Sequence, residues 1–409
     1  MTIDKLPPRA LWLVLLAAAG TFAVTMGVRQ SMGLFIGAIN THSALGLGTV
    51  SLAFGVAQLW WGLTQPLAGI VADRWGPGRV LVLGVLLVAI GTALTAHVTS
   101  TAGLILAIAV LAAGGAGMAG PSVLMAATTR LVAADRRGMA TGIVNAGGSF
   151  GQFMFAPLAQ TVTSSAGWVS SLHVLALMTL LALPAAWVLR APPRDPVDAA
   201  AAPRQTTREA LRQAFADRSY RLLAAGFLVC GFHVAFLATH LPGVVAACGL
   251  SPQVGAWSVA MLGLFNIVGS LAIGWAIGTG RWRMKSMLSL IYLVRAVAVL
   301  IFVFAPKSAA VVLAFAAVMG MTFLSTVPPT AGLVARFFGP AHMATLFGIV
   351  MVTHQIGGFL GAWLGGKAFE ASGSYDWIWY ADIVLALGAA LIHLPIREQR
   401  SAAAPAAAA

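Results

Sequence analysis

Inside the apolar runs of this 409-residue chain stand a few polar side chains that lipid tolerates only where they face a cavity or a partner. Arg29 lies in Gly27-Val-Arg29-Gln30-Ser31-Met-Gly33. A planar guanidinium among small neighbours can hold a carboxylate by two parallel hydrogen bonds, although a snorkelling arginine bonded to nearby carbonyls is the plainer alternative. Arg295, in Tyr292-Leu-Val-Arg295, faces the same choice, with a tie to backbone carbonyls or Tyr292 as the competing role. His233 and His240 are seven residues apart and so share one helical face, and either imidazole can change charge near neutral pH. His354-Gln355 precedes Gly357-Gly358 in another run. No carboxylate or close cysteine accompanies these histidines, so proton transfer or substrate contact fits them better than metal binding, and no metal or cofactor is expected. Gln30, Gln58, Asn145, Gln152, Phe236 and Asn266 complete the candidate binding set, each with interhelical hydrogen bonding or packing as its alternative. The 11 acidic residues all fall toward run ends, with none expected near a helix middle. Fixed cations and titratable imidazoles without a buried acid match an anionic ligand.

The elements that must carry these groups are membrane helices. The chain is 59% apolar and 9% charged, with a mean hydropathy of +0.91, more apolar surface than a water-soluble fold of this size can hide. A spanning helix needs roughly 20 apolar residues, and about twelve such runs can be read, from 11–39 to 376–396. The net charge of +13 is an orientation signal rather than a nucleic-acid footprint. All Lys and Arg except Arg29, Arg295, Lys307 and Lys367 fall in the N-terminus, the even-numbered loops and the C-terminus, which places both termini in the cytoplasm. The polar stretch 191–218 divides the runs six and six, into bundles at 1–190 and 219–400, with a disordered Ala/Pro tail at 401–409. Cys230 and Cys248 are read near opposite ends of one helix, about 27 Å apart and unable to bridge. The first run is too long for a signal peptide. Pro121 and the pair Pro328-Pro329 interrupt helices four and ten at matched places.

Two patterns narrow the class. The loop Gly69-Ile-Val-Ala-Asp73-Arg74-Trp-Gly76-Pro-Gly-Arg79 offers a glycine for close helix approach, an acid–base pair for a charged clasp, and a second glycine to reverse the chain. Arg130 with Met139-Ala-Thr-Gly142 leading to Gly151 is echoed by Arg336 with Met343-Ala-Thr-Leu-Phe-Gly348 leading to Gly357. The loop resembles the signature between helices two and three of the major facilitator superfamily of secondary transporters, with Pro77 and Gly78 where basic residues are usual. The resemblance implies an all-α fold of twelve transmembrane helices in two pseudo-symmetric six-helix halves, with a site near the midplane. It further implies that helices 1, 4, 7 and 10 and parts of 2, 5, 8 and 11 line the cavity, while 3, 6, 9 and 12 brace the outside.

Gly33-Leu-Phe35 and Trp60-Trp61-Gly62 loosely resemble bacterial members of the monocarboxylate and oxalate/formate carrier branch. Those carriers have an arginine in helix eight where Ser270 stands here, and oxalate carriers a lysine in helix eleven near His354. The reading is therefore a monomeric carrier of a small organic anion in a bacterial inner membrane, proton-coupled through His233, His354 or His240. The alternative is an exporter of drugs, siderophores or other amphipathic compounds on the same fold. An intramembrane enzyme is not expected, because no HExxH or paired-aspartate motif is present.

Overall fold

The computed structural model describes residues 8–132, 136–190, 207–339 and 343–398, and in these the chain forms helices that group into twelve spans. Helix α1 runs from Pro8 to Ser31, tightens through a 3₁₀ turn at Met32–Phe35 and continues over Ile36–Ser43. Then follow α2 (Leu47–Trp75), α3 (Pro77–Thr95), α4 (101–131), α5 (137–166) and α6 (168–180, extended by Leu183–Val188). The second half holds α7 (Arg218–Ala247), α8 (Pro252–Gly278), α9 (Met284–Phe304), α10 (Ala309–Thr322, then Val327–Phe338), α11 (Met343–Ser372) and α12 (Asp376–His393).

Glycine and proline account for the boundaries. Gly76 takes φ +87°, a conformation few other residues adopt, and caps α2 while Pro77 opens α3, which is the reversal expected of the loop. Between α5 and α6 there is no loop: the turn is made by Gly167 alone, at φ +83°. Each proline interruption is a real break. Pro121 begins the last segment of α4 after a cap at Gly120, and Pro328-Pro329 occupy the first turn of the second segment of α10, where a missing N–H costs nothing. A π-helical stretch, Ile105–Ala113 in α4, has no counterpart in the sequence reading.

The internal echo is realised as packing. A side chain on Gly151 of α5 would run into the backbone of Ala23 on α1, and one on its counterpart Gly357 of α11 would run into Leu228 on α7. Gly147 against Ala19 and Gly361 against Phe232 extend the same two seams. Backbones approach closely here because lipid offers no hydrophobic drive and contact area must come from van der Waals fit.

The stretch read as a polar linker is partly structured. Residues 191–206 and the tail 401–409 lie outside the described residues, but Thr207–Ala216 forms a helix that buries Ala210 and Ala214 beside the start of α7. Asp217 then caps α7, accepting from the Tyr220 N–H at 2.9 Å. Cys230 sits inside α7 rather than near its end, while Cys248 just follows it, and both are free thiols.

Because the α1–α5 seam leaves no room, Gly151→Val should lower the thermal midpoint of the purified protein, at a cost of about 1–3 kcal/mol for overpacking. Gly142→Ala, on the same helix with open space around it, should leave the midpoint unchanged or raise it slightly, because alanine is the better helix former.

Candidate functional site

One cavity, lined by α1–α4 and α7, is built around Arg29. The α-helix carries Arg29 to the turn where α1 tightens, and Gly33 in that turn lets α1 meet the Ala238 carbonyl of α7. Arg29 Nη1 donates to Gln30 Oε1 at 3.3 Å, Nη2 donates to Gln58 Oε1 of α2, and the guanidinium lies 4.5 Å from the centre of the Trp61 ring. Among the described residues no acid pairs with it. A guanidinium has five N–H donors, so two side-chain amides leave others for a ligand. Arg29, Gln30 and Gln58 share the cavity with Thr92, Ala113 and Thr239, among other residues of α1–α4 and α7. Its volume of about 30 Å³ holds about two waters, far less than an organic substrate needs.

This lining corrects one expectation. Val88 and Thr92 of α3 face the cavity, whereas none of its lining residues comes from α5, α8, α10 or α11. Gly33 packs directly on the Ala238 carbonyl of α7, and the lining residues other than Ala238 and Thr239 belong to the first half.

The halves touch most closely at the end remote from the termini. Side chains on Gly48, Gly55 and Gly62 of α2 would meet Lys367, Phe359 and Gln355 of α11, while Gly69 and Gly348, nearer the termini, have open space. Asp73 is half-buried and Arg74 and Arg79 are exposed at that more open end. Gln355 is therefore packed into the α2–α11 contact, 3% exposed. Asn266 of α8 is a second tie: its Nδ2 donates to Ser149 Oγ of α5 at 2.8 Å, and its Oδ1 accepts from the Leu324 N–H at 3.0 Å. Leu324 lies in the break of α10, so Asn266 satisfies a backbone donor that the broken helix leaves free. Gln152 is buried against Gly263 in the same contact, and Asn145 is exposed on α5.

The remaining candidates lie within the second half. Arg295 is buried and donates to the carbonyls of Thr322 and Phe323 (2.8 Å to the latter) and to Thr322 Oγ1 at 3.3 Å. It holds the broken end of α10, as the backbone-tie alternative anticipated. His240 Nε2 donates to the Ala362 carbonyl at 2.7 Å, and Phe236 packs on Trp379 with ring centres 5.0 Å apart, so both serve the core here. The His354 ring lies 4.9 Å from Phe227, turned into the second half and away from the cavity where the sequence reading put it.

The largest correction concerns acid. Asp382 is wholly buried, and its Oδ1 lies 3.3 Å from His233 Nε2, halfway along α7. It sits six residues into α12, about 9 Å from the helix start, so the run-end reading understated its depth. The available signal was local: Trp379-Tyr-Ala-Asp382-Ile-Val places a lone acid among apolar residues on both sides.

Among the described residues, twelve helical spans in two halves, with an arginine-bearing cavity, form the architecture of a multi-pass membrane transporter. The chain belongs to the Major Facilitator Superfamily, whose family model matches residues 11–362 and again 242–409. It is similar to Monocarboxylate transporter 13 of Rattus norvegicus, 25% identical over 94% of this chain and 89% of that protein. The MFS-type transporter YcxA of Bacillus subtilis is 23% identical over 97% of both chains, and the Oxalate:formate antiporter of Oxalobacter formigenes 28% identical over 44% and 43%. In fold it matches the nucleoside transporter NupG at a TM-score of 0.76, with 14% identity over 95% and 99% of the two chains. A bacterial homologue of the human lysosomal transporter Spinster, inward-facing and occupied, scores 0.75 with 16% identity over 95% and 97%. The protein is a membrane transporter and not an enzyme.

Asn266→Ala should destabilise the protein by about 1–3 kcal/mol, because the Leu324 N–H loses its acceptor in a place water does not reach. A thermal midpoint equal to wild type would show that the α10 break does not need this partner.

Proposed function

We propose that this transporter carries a small organic anion of the monocarboxylate type by alternating access, coupled to protons. The observation that carries the reading is Arg29, which lines the cavity with amide and aromatic neighbours and no acidic partner among the described residues. Gln30 and Gln58 orient the guanidinium while leaving donors for a carboxylate, and one arginine suits one carboxylate better than two. Relatives named as monocarboxylate transporters, and a partial match to an oxalate:formate antiporter, support the same substrate class. In this reading the 30 Å³ cavity is a contracted state that must widen to admit substrate, and the α2–α11 contact is the closed gate.

A thermal-shift screen of the purified protein against organic acids should find a stabilising monocarboxylate, because a ligand that binds only the folded state raises the midpoint. Arg29→Lys keeps the charge but loses the bidentate fork, so affinity should fall at least tenfold, and Arg29→Gln should abolish the shift. Unchanged affinity in Arg29→Gln would reduce the residue to a structural role and remove the basis for an anion.

We further propose a monomer in a bacterial inner membrane, with six-helix units at 1–190 and 219–400, both termini cytoplasmic and the α2–α11 contact facing outward. The basic loops support this orientation, since 191–218 and the other even-numbered connections hold most of the arginines. A protease site inserted near Arg204 should be cut only from the cytoplasmic side. Cleavage by external protease in intact spheroplasts would reverse the topology.

A further inference from the structure

Asp382 and His233 are the buried acid and imidazole that the cavity does not use. His233 is 1% exposed and Asp382 0%, and the Nε2–Oδ1 separation is 3.3 Å, yet among the described residues no well-aligned hydrogen bond satisfies the ring nitrogens of His233 or the carboxyl oxygens of Asp382. An ionised carboxylate in such a place is costly unless another charge compensates it. A fixed charge from α9 stands close by: Arg295 Nη2 donates to Cys230 Sγ at 3.6 Å, one turn before His233 on α7, and forms no ion pair with either residue among the described residues. The other titratable groups nearby are few. Tyr292 lies on α9, Cys230 and His240 on α7, His354 on α11, and His393, stacked on Tyr292, on α12. Among the described residues, the buried polar groups of α8 and α10 are neutral, Asn266, Thr322 and Thr326 among them, and Arg29 stands apart on the cavity wall.

We propose that Asp382 and His233 together bind one transported proton, and that its presence decides whether Arg295 holds the break in α10. Arg295 Nη2 donates to the carbonyls of Thr322 and Phe323, while Nη1 has no hydrogen-bond partner. With the proton bound between imidazole and carboxylate, Asp382 exerts little pull and the guanidinium remains on α10, as seen here. When the proton leaves to water, the carboxylate is ionised beside a neutral imidazole and draws Arg295 toward it, freeing the two carbonyls. The effect reaches the contact between the halves by covalent and hydrogen-bonded steps: Phe323 adjoins Leu324, whose N–H is held by Asn266, which in turn donates to Ser149 of α5. The site is thus a proton-dependent latch on a helix that must bend during alternating access. It rests on the proton-coupled reading above but not on the identity of the anion.

The test is infrared difference spectroscopy of the full-length protein in nanodiscs between pH 5 and 9, with no substrate added. Wild type should show a buried carboxylic-acid C=O band that disappears as pH rises. Asp382→Asn should lack it, and His233→Gln should shift its midpoint by about one pH unit or more, corresponding to about 1.4 kcal/mol of interaction. The protection of amides at 318–330, meaning exchange corrected for its intrinsic base catalysis, should fall as pH rises in wild type and lose that dependence in Asp382→Asn. If Asp382→Asn does not fold, the wild-type titration and His233→Gln decide. A band that is absent or constant across the range overturns the proton site, and a titrating band with unchanged protection at 318–330 overturns the latch. Arg29→Gln should leave the band intact, so loss of anion binding there is a separate failure.

Discussion

Lipid supplies no hydrogen bonds, so every interruption of a helix must be answered by a protein group, and this constraint shapes both halves. The break in α4 frees the Ala119 carbonyl, which accepts from Thr25 of α1 at 3.4 Å, and Ser122 beside it donates to Gln65 of α2 at 3.1 Å. The break in α10 is answered by Arg295 from α9 and Asn266 from α8. The two solutions differ in kind. The first half uses a hydroxyl and an amide, whereas the second uses a charged guanidinium and a cross-half tie, which makes only the second sensitive to a nearby change in charge.

The two intramembrane arginines illustrate how surroundings divide one residue type between two roles. Arg295 is held on one side by backbone carbonyls, is 1% exposed, and bonds to Cys230 one turn from the acid–imidazole pair. Arg29 has only side-chain amides, an indole face and a small cavity, and side chains can be rearranged by an incoming ligand more easily than a helix backbone. The first arrangement suits a tie or latch, and the second suits recognition.

Much of this was legible from residue order. Apolar runs bounded by charge located the spans, because composition has to match the solvent over a helix length. The glycine echo at Gly151 and Gly357 marked the two seams, since only glycine permits backbones to meet. Pro121 and Pro328-Pro329 marked the breaks. What pattern could not convey was orientation about each helix axis. Phe236, His240 and His354 were grouped with the cavity because the family resemblance implies that α7 and part of α11 line it, but their rotation turns them into the second half. Asp382 escaped notice because its partner lies on a helix 149 positions earlier, a relation that no local spacing reveals. The entry of α3 into the lining depends on how closely α1 packs on α7, which is a property of the packed conformation.

The central claim is that a guanidinium at Arg29 recognises a carboxylate, and isothermal titration calorimetry with matched ligands tests it most directly. A monocarboxylate that stabilises the protein would be compared with its primary amide, which has nearly the same shape and no charge. The account predicts that the acid binds and the amide binds at least a hundredfold more weakly. Equal affinity for the two would contradict it, since recognition would then depend on shape and apolar contact alone.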